Sequence, residues 1–144
     1  MRQDVLISTG VISAKSSIGR GFGYEGSGIV VAVGANVAKL TPGDRVIMSS
    51  SGCLATTMSL DQRLCVKMPD NMTFLEGATM SAVNCTAIYG LLDSGKLTKG
   101  STVLIHSAAG GVGIAAMQIA KMVGATVSCY PHLWHHLSAL PRSP

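Results

Sequence analysis

Negative charge runs out early in this sequence: the last of its seven acidic residues is Asp93, and nothing from Ser94 to Pro144 carries a carboxylate side chain. That absence leaves three closely spaced histidines near the end, His132, His135 and His136, without an acid to complete a metal site, so they read as part of an unstructured tail. Charge is scarce throughout, at 12% of residues, and aromatics are scarcer at 4%. The eleven lysines and arginines are scattered singly from Arg2 to Arg142 with no basic cluster, which excludes a nucleic-acid-binding surface. The four cysteines, Cys53, Cys65, Cys85 and Cys129, contain no C-x-x-C pair. They read as reduced thiols of a cytoplasmic protein, not as a disulfide framework or a zinc ribbon. The N-terminal MRQDVLISTG has no apolar core for a signal peptide, and no run of eighteen residues is free of Gly, His or Lys interruptions. No membrane association is expected.

What is present is apolar and globular: 47% hydrophobic residues and a mean hydropathy of +0.41. A length of 144 residues suits one ordinary domain, but such a composition leaves little polar surface, and a partner or a missing segment is expected to cover part of it. In chain order, Val5–Ile7 suits a strand or one helical turn. Gly28–Val33 and Arg45–Met48 read as strands on either side of Leu40–Asp44, where Pro42 and Gly43 form a corner. Leu54–Leu60 and Leu64–Met68 read as two further strands. This succession of short, glycine-punctuated strands predicts an irregular β-barrel up to about residue 70. Thr73 and Glu76 then form the capping box of a helix expected over Phe74–Leu92, with a break near Ser81 or Asn84.

Ser101–Met122, STVLIHSAAGGVGIAAMQIAKM, is the stretch around which the rest is organised. Thr102–His106 reads as a strand buried on both faces. Val112–Val123 reads as a covered helix whose only solvent edge is Gln118 and Lys121, closed by Gly124 and followed by a second strand, Ala125–Tyr130. Between strand and helix, Ala108, Gly110 and Gly113 give the spacing A-x-G-x-x-G, a dinucleotide fingerprint with alanine in its first place. Glycines there permit a tight turn and close approach of a pyrophosphate to free N–H groups at the helix start. A fold selecting NADH places an acid about 20 residues beyond this turn to bind the ribose hydroxyls. None exists, so NADH is disfavoured.

The ordered set Gly23–Gly34, Leu40–Val46 (LTPGDRV), Val66–Met80 (VKMPDNMTFLEGATM) and Leu104–Lys121 resembles the medium-chain dehydrogenase/reductase superfamily. Together with SSGC at Ser50–Cys53 and LCVK at Leu64–Lys67 it is most similar to the enoyl reductase domain of fungal highly reducing polyketide synthases. The resemblance implies an α/β fold: a GroES-like irregular β-barrel portion followed by an incomplete Rossmann portion, the start of a doubly wound parallel sheet. It divides the chain into a partial GroES-like domain at 1–70, a partial Rossmann NADPH-binding domain at 71–130 and a non-family tail at 131–144. It further implies hydride transfer from NADPH to the double bond of an α,β-unsaturated thioester on an acyl carrier protein, within polyketide biosynthesis. Carried over by position, Ser107, Ala108, Ala109, Gly110, Gly111, Val112 and Gly113 line the pyrophosphate, and Asn84 and Thr86 lie toward the nicotinamide.

The same resemblance implies an internal piece of such an enzyme. The family's lysine segment after the second Rossmann strand is replaced by SCYPHLWHH, in a tail resembling out-of-frame or intron-derived translation. The proton donor is therefore unassigned, and an isolated chain with little or no activity is expected. Self-association or docking to a larger synthase is a further expectation, and a catalytically inactive docking module and a quinone-oxidoreductase-like protein are the alternatives. Glu25 stands where zinc-dependent relatives carry the last residue of G-H-E, but Tyr24 replaces the histidine, so it reads as a buried structural carboxylate and no metal is expected. His106 reads as a packed strand residue, and nothing places Tyr24 or Tyr89 at a substrate.

Overall fold

The corner at Thr41–Asp44 sets the first sheet. Gly43 sits at φ +93° and the Asp44 N–H donates to the Thr41 carbonyl at 3.1 Å, the type II turn that Pro-Gly favours. The Asp44 carboxylate accepts the Thr41 N–H at 2.7 Å and pairs with Lys67 Nζ at 2.8 Å, tying the corner to a neighbouring strand. In this computed structural model, which describes residues 2–12 and 21–130, strand β2 (Arg45–Ser49) leaves that corner. It lies antiparallel between β1 (Glu25–Ile29) and β3 (Cys65–Lys67), in the order β1-β2-β3. The described residues fall into two compact units that divide between Ala82 and Val83.

In the first unit, helix α1 (Arg2–Ser8) is tethered by the Asp4 carboxylate, which accepts the Gly23 N–H at 2.8 Å. Leu40, Val46 and Met68 are its buried apolar residues. A 3-10 turn, Gln62–Leu64, opens β3. The short helix α2 (Phe74–Gly77) carries the capping box read from the sequence: the Thr73 hydroxyl accepts the Glu76 N–H at 3.2 Å, and the Glu76 carboxylate accepts the Thr73 N–H at 2.8 Å. A Cβ on Gly77 would lie 2.5 Å from Met68 Sδ and 3.3 Å from Ile47, so only glycine lets α2 settle this closely on the sheet. Arg45 reaches the carbonyls of Asp70 and Met72 and lies 4.8 Å from the Phe74 ring centre, fixing the connection into α2.

Helix α3 (Ser81–Ile88) follows and runs into a π-helical turn, Tyr89–Ser94. In the second unit, β4 (Thr102–His106) and β5 (Thr126–Tyr130) pair in parallel, with Thr102 opposite Thr126 and His106 opposite Tyr130, and α4 (Gly111–Val123) connects them. This is a βαβ unit. Its core is Ala87, Ile105, Ala108, Ala115, Ala116 and Ile119. The end of α4 is a Schellman motif: Gly124, at φ +82°, donates to the Lys121 carbonyl at 3.0 Å, and the Ala125 N–H to that of Ala120 at 2.9 Å.

Four expectations are corrected. The strand read over Gly28–Val33 forms instead over Glu25–Ile29. Val30 makes the last bonds, to Asp44 and Gly43, and beyond it the partner chain has already turned away at the corner, leaving Val31 75% exposed. Leu54–Leu60 forms no strand, because residues 52–54 hook onto the carbonyls of Gly23 and Phe22 instead of a ladder. β4 is buried on one face only: Ile105 is 7% exposed and Leu104 57%. Helix α4 likewise exposes Val112, Ile114 and Met122 beside Gln118 and Lys121. The break expected near Ser81 in the helix over Phe74–Leu92 is present, at residues 78–80.

Candidate functional site

The glycine turn stands at the C-terminal end of β4. The chain leaves the strand through Ser107, which adopts φ +53°, and the Ser107 carbonyl accepts the Gly110 N–H at 2.9 Å. The left-handed residue of the turn is thus a serine, whereas the glycines of the turn, Gly110, Gly111 and Gly113, are not among the positive-φ residues. Their role is closeness. A Cβ on Gly113 would sit 2.6 Å from both the Ala108 Cα and the Ser107 carbonyl oxygen, and one on Gly111 would sit 3.1 Å from Val83. Backbone cannot yield at 2.6 Å, so Gly113 is required for α4 to begin directly against the turn.

Helix α4 starts at Gly111 after Gly110, with no side-chain cap. The first bond of its ladder is the Ile114 N–H to the Gly110 carbonyl at 2.9 Å, so the N–H groups of Gly111, Val112 and Gly113 precede the ladder. The helix dipole adds roughly half a positive charge there. Ala108 is buried at 5% exposure, while Ala109, Gly110, Gly111 and Val112 are exposed. An uncapped helix start with an exposed glycine backbone suits a phosphate group, and the residues present fit the pyrophosphate of a dinucleotide.

Of the other two expected cofactor residues, Asn84 is half-buried and Thr86 exposed, both on α3. Val83 meets Gly111 and Ala87 lies in the core, which sets α3 beside the turn. At 100° per residue, Asn84 and Thr86 diverge by about 200° around the helix. They leave α3 on opposite flanks of the Val83–Ala87 stripe, so they are not brought to one point. His106, expected to be packed, is exposed at the end of β4, and Tyr89 is 66% exposed. The histidines of the tail, and residues 131–144 as a whole, lie outside the described residues.

In the first unit, Glu25 has a role that sequence reasoning left undefined. Half-buried instead of buried, its carboxylate accepts the Ala82 N–H at 2.8 Å, and the Ser81 hydroxyl lies 3.2 Å away. It therefore caps the start of α3 from 57 residues away in sequence, a pairing for which no local signal exists. Beside it, a cleft of about 600 Å³ has a mixed lining that includes Val31, Met48, Cys53, Met58, Thr56 and Gln62. Burial pushes the thiols of Cys53 and Cys65 up from their ordinary value, so neither is a thiolate nucleophile at neutral pH.

The family model of the alcohol dehydrogenase GroES-like domain matches residues 1–110. The chain is 75% identical over 125 residues to highly reducing polyketide synthase pspA of Penicillium soppii, a match covering 87% of this chain and 5% of the synthase. The chain thus spans a small part of the relatives it matches. Among solved structures, the CurK enoyl reductase superposes with a TM-score of 0.81 at 35% identity, covering 88% of this chain and 41% of that one. The Escherichia coli quinone oxidoreductase complexed with NADPH superposes with a TM-score of 0.75 at 29% identity, covering 90% and 40%.

Proposed function

The chain belongs to the alcohol dehydrogenase GroES-like domain family, as a medium-chain dehydrogenase/reductase of the polyketide synthase enoyl reductase type, and from that premise we propose that it binds NADPH through its glycine turn and serves hydride transfer to an α,β-unsaturated acyl thioester. The observation that carries this reading is the uncapped start of α4 packed against Ser107 and Ala108 through Gly113. Residues 107–113 hold the pyrophosphate with backbone N–H groups, and α3, which carries Asn84 and Thr86 on opposite flanks, lies toward the nicotinamide side. The cofactor supplies the hydride; the chain binds and orients it. The absence of any acid after Asp93 counts against NADH, and the choice of NADPH rests on the family likeness, including the NADPH complex of the quinone oxidoreductase neighbour.

The substrate is carried on an acyl carrier protein and the chain self-associates or docks to a larger synthase, a reading supported by its likeness to a segment of such synthases. The domain limits at residues 70 and 130 belong to the same proposal, as does a cytoplasmic location, supported by four free cysteines. No described helix is long and apolar enough to cross a membrane. Because the described residues form two strands of a parallel sheet, the chain alone turns over slowly or not at all; brisk NADPH oxidation with a crotonyl thioester at 340 nm would contradict this. Hydrogen exchange tests the binding site. NADPH should slow exchange of the amides at residues 107–113 in the folded chain, and unchanged exchange there would refute the assignment.

A further inference from the structure

Gly26 on β1 stands directly opposite Met48 on β2, and Met48 stands directly opposite Cys65 on β3. Directly opposed residues of an antiparallel pair share a face, with Cβ atoms about 4.5–5.5 Å apart, so Met48 and Cys65 are neighbours on one side of the sheet. Gly26 brings no side chain to that row, and Cys53 fills the place. A Cβ on Gly26 would lie 3.4 Å from the Cys53 Cβ and 3.7 Å from Met48 Cγ. The result is a cross-strand row of three sulfur side chains, Cys53, Met48 and Cys65. All three line the cleft of the first unit, as does Met58.

We infer that this row is a site for a soft monovalent metal ion, copper(I), held by Cys53 Sγ and Cys65 Sγ with the thioether of Met48 between them. Both cysteines are free, and the Cys53 thiol spends its weak donor on the Ser50 carbonyl at 3.0 Å. The two thiols lie within electrostatic reach: burial first and Cys53 next push the Cys65 thiol up. Among the described residues no three of His, Cys, Asp and Glu gather to hold a metal, which leaves hard and borderline cations without a donor set. Thiolate and thioether sulfur instead select copper(I). Each thiol gives its proton to solvent as its sulfur–copper bond forms, so one ion displaces two protons and no electron is transferred. Cys53 belongs to a segment outside the strand ladder, residues 50–60, so it closes on Met48 without breaking a strand pair. The row lies wholly in the first unit and is independent of the cofactor reading.

The test uses the full chain under anaerobic conditions with Cys85→Ser and Cys129→Ser, which remove the exposed thiols of the second unit. Copper(I), added as its acetonitrile complex against a chromophoric chelator, reports affinity and stoichiometry. Mass spectrometry after iodoacetamide treatment reports which thiols the ion shields, and X-ray absorption reports the donor atoms. The expected result is one copper(I) per chain, sulfur-only coordination, two protons released, and Cys53 and Cys65 shielded together. Cys53→Ser and Cys65→Ser should each weaken binding by about a hundredfold or more, beyond the loss that follows removal of a supporting residue. Met48→Leu, close in volume, should weaken it by less. No bound copper, alkylation of either thiol at full loading, nitrogen or oxygen donors, or affinity unchanged by either serine variant would each overturn the site. Circular dichroism checks the fold of each variant; where a serine variant is unfolded, the shielding pattern in the chain that keeps both thiols decides.

Discussion

Gly113 is where one hydrogen atom decides the geometry of the site. An alanine methyl would lie 2.6 Å from the Ala108 Cα and the Ser107 oxygen, and relieving such overlap costs about 1–3 kcal/mol. Gly113→Ala should therefore lower stability to urea by that amount and displace the start of α4, with loss of NADPH binding; unchanged melting would contradict the packing. Asp61 makes a second prediction. Hydrogen bonds from the Arg63 side chain and N–H hold its carboxyl down at about 2. A depressed folded pKa means the contribution to stability is complete above the ordinary carboxylate range and is lost as pH falls through about 2. An NMR titration should place the Asp61 midpoint near that value, and Arg63→Ala should return it toward the ordinary range. At this scale the A-x-G-x-x-G spacing was legible in the sequence, because close packing at a strand-to-helix turn tolerates no side chain. The left-handed backbone at Ser107 was not, since serine carries no such signature.

Elements were legible where their causes are local. Thr102–His106 forms the strand its β-branched run implies, Thr73 and Glu76 close the capping box, and Pro42 and Gly43 make the corner. Strand limits that depend on a partner were not: residues 31–33 are as β-prone as those before them, but the corner removes their partner. The same distinction marks Glu25, whose value lies in a helix start far along the chain. Glu25→Ala should leave the Ala82 N–H without its carboxylate and cost about 1–2 kcal/mol, as loss of a helix cap does. Glu25→Gln, which retains an acceptor oxygen, should recover part of that loss in thermal melts. Equal stability of both variants and the parent would show that the cap is replaced by solvent.

For the whole molecule, the sequence motifs in order placed the chain in its family, while the extent of its uncovered surface had to be seen. Thr102–His106 read as buried on both faces and α4 as covered apart from Gln118 and Lys121, and instead Leu104, Val112, Ile114 and Met122 stand exposed. Such surface on a parallel unit is what a larger assembly would cover. The proposal that the glycine turn holds a phosphate is the claim on which the functional account depends. The measurement that tests it most directly is a titration of the folded chain, verified by circular dichroism, with NADPH and separately with NADH, following nicotinamide fluorescence. The account predicts saturable binding of NADPH and weaker binding of NADH; a folded chain that shows no saturable change with NADPH would contradict it.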